Sequence, residues 1–166
     1  VTNMRGIYDD HIAANVMAFV LSFARGLPRH GVNQRAHRYR PEEVPTFHLA
    51  DSTVLLIGSG GVGHQVARYL APFGARVVAV DAKPDTAGGE GIAEVRPTDQ
   101  LDDALGTADV VVMTVPHTPE TEGMLDRARF ARMKPTAFFV NIGRGMTVRL
   151  DDLADGLEAG ELAGAG

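Results

Sequence analysis

Four short, mostly apolar runs, each followed by a turn and then a segment with helical spacing, constrain this chain more than any other feature. They lie at 53–57 (Thr-Val-Leu-Leu-Ile), 76–80 (Arg-Val-Val-Ala-Val), 110–115 (Val-Val-Val-Met-Thr-Val) and 137–142 (Ala-Phe-Phe-Val-Asn-Ile). A strand buried on one face alternates apolar and polar residues. A continuous apolar run is buried on both faces, the condition of a parallel strand covered by helices above and below. Helical spacing is present at 9–27, where Ile12, Val16, Phe19, Val20, Phe23 and Leu27 recur, and at 62–73, 101–105, 127–133 and 150–159. A further short strand is predicted at 92–95, while 29–45 and 82–91 read as irregular connectors. Asp9 or Asp10 is expected to cap the first helix, and the pair Asp151-Asp152 to cap the last. Alternating strands and helices predict an α/β chain: a doubly wound parallel sheet with helices on both faces. Ligands bind such sheets beyond the carboxyl ends of the strands, so the turns after Ile57, Val80, Val115 and Ile142 are where a site is expected.

The first of those turns reads Gly58-Ser59-Gly60-Gly61-Val62-Gly63. Gly58 permits a tight strand-to-helix turn, Gly60 lets the backbone approach a pyrophosphate, and Gly63 lets the helix pack close to the strand. The pyrophosphate then lies over free amides at the positive end of the helix dipole. A bare G-x-G-x-x-G also fits a plain turn. Here it follows a strand, opens a helix, and is followed by a second strand ending in Asp81, eighteen residues after Gly63. A carboxylate at that place accepts hydrogen bonds from the adenosine ribose. The combination predicts a Rossmann-type domain that binds NAD(H). A 2′-phosphate about 4 Å from Asp81 would be repelled by ~4 kcal/mol at an effective dielectric of 20, which favours NAD over NADP. Lys83 close by offsets little of this, because an exposed ion pair contributes only ~0–1 kcal/mol. No Gly-Lys-Ser/Thr follows the glycines, so a P-loop is not supported.

At 166 residues the chain is one domain's worth and carries a net charge of −5, against nucleic-acid or anionic-membrane partners. The longest apolar stretch, 12–27, contains Asn15, Ser22 and Arg25 and is too short and polar to span a bilayer. There is no cysteine, which removes disulfides, zinc–thiolate sites and cysteine catalysis and is compatible with a cytoplasmic location. His11, His30, His37, His48 and His64 show no metal-ligand spacing, so no metal is expected. Residues 1–45 read as a leading helix with its connector and 46–166 as the dinucleotide-binding domain. The opening Val1 and the closing Ala163-Gly164-Ala165-Gly166 suggest a piece of a longer protein.

Three further segments lie at or beyond strand ends: Thr114-Val115-Pro116-His117-Thr118-Pro119-Glu120-Thr121, Asn141-Ile142-Gly143-Arg144-Gly145, and 150–165. With the glycine loop, the opening Val1-Thr2-Asn3 and the helix from Ala13 to Pro28, they resemble the NAD-binding domain of the D-isomer-specific 2-hydroxyacid dehydrogenases. The resemblance covers nearly the whole chain. It implies that Gly61 and Val62 contact the pyrophosphate through their backbones and Asp81 the adenosine ribose. It implies that Val115, Pro116 and Thr121 line the adenosine side, and that Ile142 and Gly143 lie beside the nicotinamide ribose and carboxamide. It makes Arg144 the catalytic arginine that grips the substrate carboxylate and polarises the carbonyl receiving hydride, a task suited to a forked, permanently charged guanidinium.

The same resemblance exposes what is missing. Family members carry a further aspartate, a catalytic glutamate and a catalytic histidine beyond the point reached by this chain, and a substrate-binding domain built partly from residues ahead of it. Alone, the chain is therefore expected to bind cofactor without turning over substrate. His117 lies near the cofactor, with only Glu120 or Glu122 as carboxylate neighbours, and reads as a loop histidine. The function implied is hydride transfer between nicotinamide and a D-2-hydroxy acid or 2-oxo acid. The alternatives are a formate or phosphite dehydrogenase relative, a non-catalytic NAD(H)-sensing or co-repressor protein, and a domain whose NAD is structural. The apolar first helix, together with the resemblance, implies a homodimer.

Overall fold

Strands form where the apolar runs lie, and in a computed structural model, which describes residues 6–166, they pair only in parallel. They are β1 (Thr53–Ile57), β2 (Arg76–Val80), β3 (Glu94–Arg96), β4 (Val110–Met113), β5 (Phe138–Asn141) and β6 (Gly164–Ala165), in the order β3-β2-β1-β4-β5-β6. The helices are α1 (Asp9–Ala24), α2 (Leu27–Arg35), α3 (Gly61–Leu70), α4 (Leu101–Leu105), α5 (Arg127–Phe130) and α6 (Leu150–Glu158). The segment Val1-Thr2-Asn3, part of the resemblance, lies outside the described residues.

Successive strand residues point to opposite faces, and both faces are apolar, so two cores form. One gathers Leu55, Ile57, Val78, Val80, Val111, Met113 and Phe139 with Leu101 and Leu105 of α4 and Phe130 of α5. The other gathers Val54, Leu56, Val77, Ala79, Val110, Val112 and Val140 with Ala13, Val16 and Val20 of α1 and Val66 and Leu70 of α3. This is the doubly wound sheet expected from the runs, and α1 is part of its cover. The strand order runs outward in one direction from β1 through β3 and in the other from β4 through β6. The crevice between the carboxyl ends of β1 and β4 is therefore where a ligand is expected to lie.

Several local expectations are corrected. The first helix stops at Ala24, short of Leu27, and Leu27–Arg35 forms α2, taking in residues 29–35 of the supposed irregular connector. Gly26, at φ 63°, takes the left-handed conformation that ends one helix and starts the next, and Pro28 falls in the first turn of α2, where a missing amide hydrogen costs nothing. No residue of α2 is buried, so no apolar periodicity announced it. Neither Asp9 nor Asp10 caps α1: both lie inside its first turn, behind Tyr8, and Asp10 Oδ1 accepts from the His11 amide at 2.8 Å. Asp151 and Asp152 likewise lie within the first turn of α6, and Asp152 Oδ2 instead accepts from the Arg127 amide, 2.9 Å away at the start of α5. β6 is an unforeseen edge strand of two residues, Gly164 opposite Phe138 and Ala165 opposite Phe139.

Candidate functional site

The chain leaves β1 at Ile57 and turns at once. Gly58 has φ +91°, and a Cβ on it would lie 2.9 Å from Val115 Cγ1 and 3.0 Å from Thr114 Oγ1. A Cβ on Gly63 would lie 2.6 Å from the Gly58 carbonyl oxygen, so the first turn of α3 rests on the turn itself. Among the described residues, a Cβ on Gly60 would meet nothing within 4 Å. The cradle thus has two glycines forced by packing and one that opens a path for a ligand to approach the backbone, the arrangement a pyrophosphate needs. Among the described residues, the amides of Gly61, Val62 and Gly63 at the head of α3 donate to no other group, leaving them free for an anion.

Asp81 follows β2 directly and reaches back to this loop. Its Oδ2 accepts from the Ser59 amide at 2.8 Å and the Ser59 hydroxyl at 3.0 Å, and its Oδ1 from the Lys83 amide at 2.9 Å. Burial pushes the Asp81 pKa up, but the two amides, the hydroxyl and nearby His64 outweigh it and hold the carboxyl below its ordinary value. It is therefore charged at neutral pH. About four acceptor sites exist on a carboxylate, so roughly one remains for a ribose hydroxyl. Ser59, which is buried, is the tether between the glycine loop and Asp81 rather than a surface residue of the cleft.

Arg144 is placed by a second turn, after β5. Asn141 Oδ1 accepts from the Gly143 amide at 2.9 Å, while Asn141 Nδ2 donates to the Arg144 carbonyl at 3.3 Å. That carbonyl also accepts from the Thr147 hydroxyl at 2.6 Å and the Thr147 amide at 3.0 Å. Gly143 passes so close to the segment after β4 that a Cβ on it would lie 2.7 Å from the Val115 carbonyl oxygen. The Arg144 backbone is thus held by three donors while its side chain is exposed. Asn141 and Thr147 are site residues that the sequence reading missed. The Asn-x-Gly-Arg-Gly spacing was the available signal for Asn141, whereas nothing local marks Thr147.

Two adjoining clefts cross the carboxyl edge of the sheet. One, about 520 Å³, is lined by Gly60, Gly61, Val62, Gly63 and Thr114 with Gly6, Tyr8, Asp9 and Ile12. The other, about 530 Å³, is lined by Val115, Pro116, His117, Ile142, Gly143, Arg144 and Met146. Ile12, Val62 and Thr114 line both, so they form one groove from the glycine loop to Arg144. An apolar groove of about 660 Å³ near β6 brings together none of the predicted site residues. Thr121 lines neither part of the site: its hydroxyl donates to the Pro116 carbonyl at 2.7 Å and accepts from the Thr118 amide at 2.8 Å, fixing the loop that carries His117. His117 Nε2 lies 3.5 Å from Glu122 Oε2. Among the described residues no group of three or more His, Asp or Glu is placed to hold a metal ion, and no helix is long and apolar enough to cross a membrane.

Comparison with known proteins identifies the family. Residues 17–166 match the family model described as D-isomer specific 2-hydroxyacid dehydrogenase, NAD binding domain. The D-3-phosphoglycerate dehydrogenase of Mycobacterium tuberculosis is 34% identical over 156 residues, which is 93% of this chain and 29% of that protein. Among solved structures, the D-isomer specific 2-hydroxyacid dehydrogenase of Xanthobacter autotrophicus Py2, in complex with NADPH and MES, superposes with a TM-score of 0.88 at 30% identity. The match covers 99% of this chain and 67% of that one. The D-lactate dehydrogenase of Aquifex aeolicus, complexed with NAD and lactic acid, gives 0.82 at 28% identity, covering 93% and 46%. The chain therefore spans less than a third of its mycobacterial relative.

Proposed function

Because this chain belongs to the D-isomer-specific 2-hydroxyacid dehydrogenase family, as an NAD-binding domain, we propose that it serves an enzyme interconverting a 2-oxo acid and a D-2-hydroxy acid. NAD(H), when bound, supplies or accepts the hydride. The residues of this chain do the rest of what the domain contributes. The free amides at Gly61 and Val62 bind the pyrophosphate, and Asp81 accepts from the adenosine ribose. Val115 and Pro116 wall the groove, Thr121 holds their loop, and Ile142 and Gly143 flank the nicotinamide end. Arg144 holds the substrate carboxylate and polarises the carbonyl. The observation that carries this reading is the single groove with the glycine cradle at one end and Arg144 at the other. In the same proposal the working protein is cytoplasmic and a homodimer paired along α1, whose Phe19, Leu21 and Phe23 remain only partly buried. Sedimentation of the chain as a monomer would remove that pairing.

Asp81 decides the nucleotide. The Xanthobacter relative was solved with NADPH, so preference has to be argued from the residues here. The carboxylate is charged, three of its acceptor sites are taken, and a 2′-phosphate would add a like charge beside it. Discounting for its partial exposure, we expect NADH to bind this chain about 10–100-fold more tightly than NADPH, or ~1.4–2.7 kcal/mol. Calorimetric titration with each nucleotide measures this. Asp81→Ala should weaken NADH by roughly tenfold and shrink the preference, because it removes the ribose acceptor and releases the Ser59 and Lys83 amides. Unchanged preference in Asp81→Ala would take Asp81 out of nucleotide selection. A folded chain that binds neither nucleotide would overturn the cofactor reading.

A further inference from the structure

The first turn of α1 brings a carboxylate to the glycine cradle. A Cβ built on Gly61 would land on the Asp9 carboxylate, with Asp9 Cγ 2.8 Å away. Asp9 is half-buried there and, with Gly60, Gly61 and Gly63, lines the glycine-loop end of the groove. Its neighbour Asp10 behaves differently: it is exposed and accepts from the His11 amide within its own turn. The family reading gives Asp9 no role, and the capping role expected from the sequence does not hold.

We propose that Asp9 is a cofactor-affinity determinant, an internal anion that lies across the pyrophosphate seat and must be displaced for NAD(H) to bind. The inference rests on the cofactor reading given above. The head of α3 presents amides that, among the described residues, have no acceptor, and the positive end of a helix dipole; these attract an anion whether it belongs to the ligand or to the protein. Asp9 is a carboxylate close enough to Gly61 to use that field. A pyrophosphate carries two negative charges into the same space, so the two cannot occupy it together: sterics exclude it and like charges oppose it. Binding then has to include rotation of the Asp9 side chain away from Gly61. The same side chain, returning, assists departure of the nucleotide. Because Asp9 belongs to α1, whose Ile12 lines both parts of the groove, any shift of that helix alters the seat directly.

The test compares NADH dissociation constants of the unsubstituted chain with Asp9→Ala, Asp9→Asn and Asp10→Asn, with melting curves confirming that each is folded. Asp9→Ala removes bulk and charge and should tighten NADH binding about tenfold, equal to about 1.4 kcal/mol. Asp9→Asn removes charge alone and should give a smaller gain in the same direction. Asp10→Asn, which loses the same charge one residue away, should stay within about twofold. The proposal is overturned if Asp9→Ala and Asp9→Asn bind NADH like the unsubstituted chain. It is equally overturned if Asp10→Asn matches Asp9→Ala, since the gain would then be one of diffuse charge. NADH binding by none of the four would instead bring down the cofactor reading on which the inference stands.

Discussion

Replacing Phe139 by alanine is expected to remove about 3–5 kcal/mol of stability, as large aromatic-to-alanine changes in well-packed cores do. Phe139 is 1% exposed, at the middle of β5, between Val111 of β4 and Ala165 of β6. Its ring meets Phe130 of α5 edge-on, with centroids 5.6 Å apart and planes at 73°. That geometry adds roughly 0.5–1.5 kcal/mol beyond area burial. Truncation would leave a cavity between the sheet and Phe130 of α5, whose strand side cannot collapse without breaking the ladder. A domain of this kind holds about 5–15 kcal/mol in total, and the denaturant midpoint should fall by roughly a fifth or more with little change in slope. Phe138→Ala is the control. That ring, half-buried, lies between Phe23 and Phe47 at 4.5 and 5.8 Å, and its removal should cost less than half as much. A loss below about 1 kcal/mol for Phe139→Ala would show that the face of the sheet covered by α4 and α5 is not a packed core.

That core also explains which parts of the molecule were legible in sequence. β1, β2, β4 and β5 announced themselves because burial on both faces leaves no polar residue to interrupt the run. α3 followed from its strongly one-sided apolar spacing and from the glycines before it. The two elements missed, α2 and β6, contain no fully buried residue. α2 buries nothing, and β6 consists of Gly164 and Ala165, residues with low strand preference whose pairing is imposed by the neighbouring Phe138 and Phe139. Within the site, residues whose role is written in backbone geometry were readable, as at Gly58 and Gly63. Residues acting through tertiary hydrogen bonds were not. Ser59 reaches Asp81 across 22 positions, and Asp152 serves an amide 25 positions away, pairings that spacing alone does not encode. The placement of Asp9 beside Gly61 is equally invisible to spacing, since α1, α2 and β1 all lie between them.

Arg144→Ala is expected to lower turnover of the complete enzyme by about a thousandfold while leaving the NADH dissociation constant of this chain within roughly twofold. The separation follows from how the residue is held. Its carbonyl is fixed by Asn141 Nδ2 and by both the amide and the hydroxyl of Thr147, none of which involves the guanidinium. The side chain itself is exposed and, among the described residues, donates only to the adjacent Gly143 carbonyl, at 3.3 Å. Removing it therefore leaves the turn intact and should change stability by no more than about 0.5 kcal/mol. What disappears is a forked cation at the end of the groove opposite the glycine cradle, where a substrate carboxylate would be gripped by two parallel hydrogen bonds. Charge at a developing oxyanion acts on the transition state more than on the bound cofactor, so the loss falls on kcat and kcat/KM. Arg144→Lys keeps the charge and loses the fork, and should recover only a small part of the rate. Steady-state kinetics of the complete enzyme with each variant, beside NADH titration of the chain, separate the two effects. Turnover near normal in Arg144→Ala would exclude Arg144 from the reaction. An equal loss of NADH affinity and of rate would make it a cofactor ligand instead.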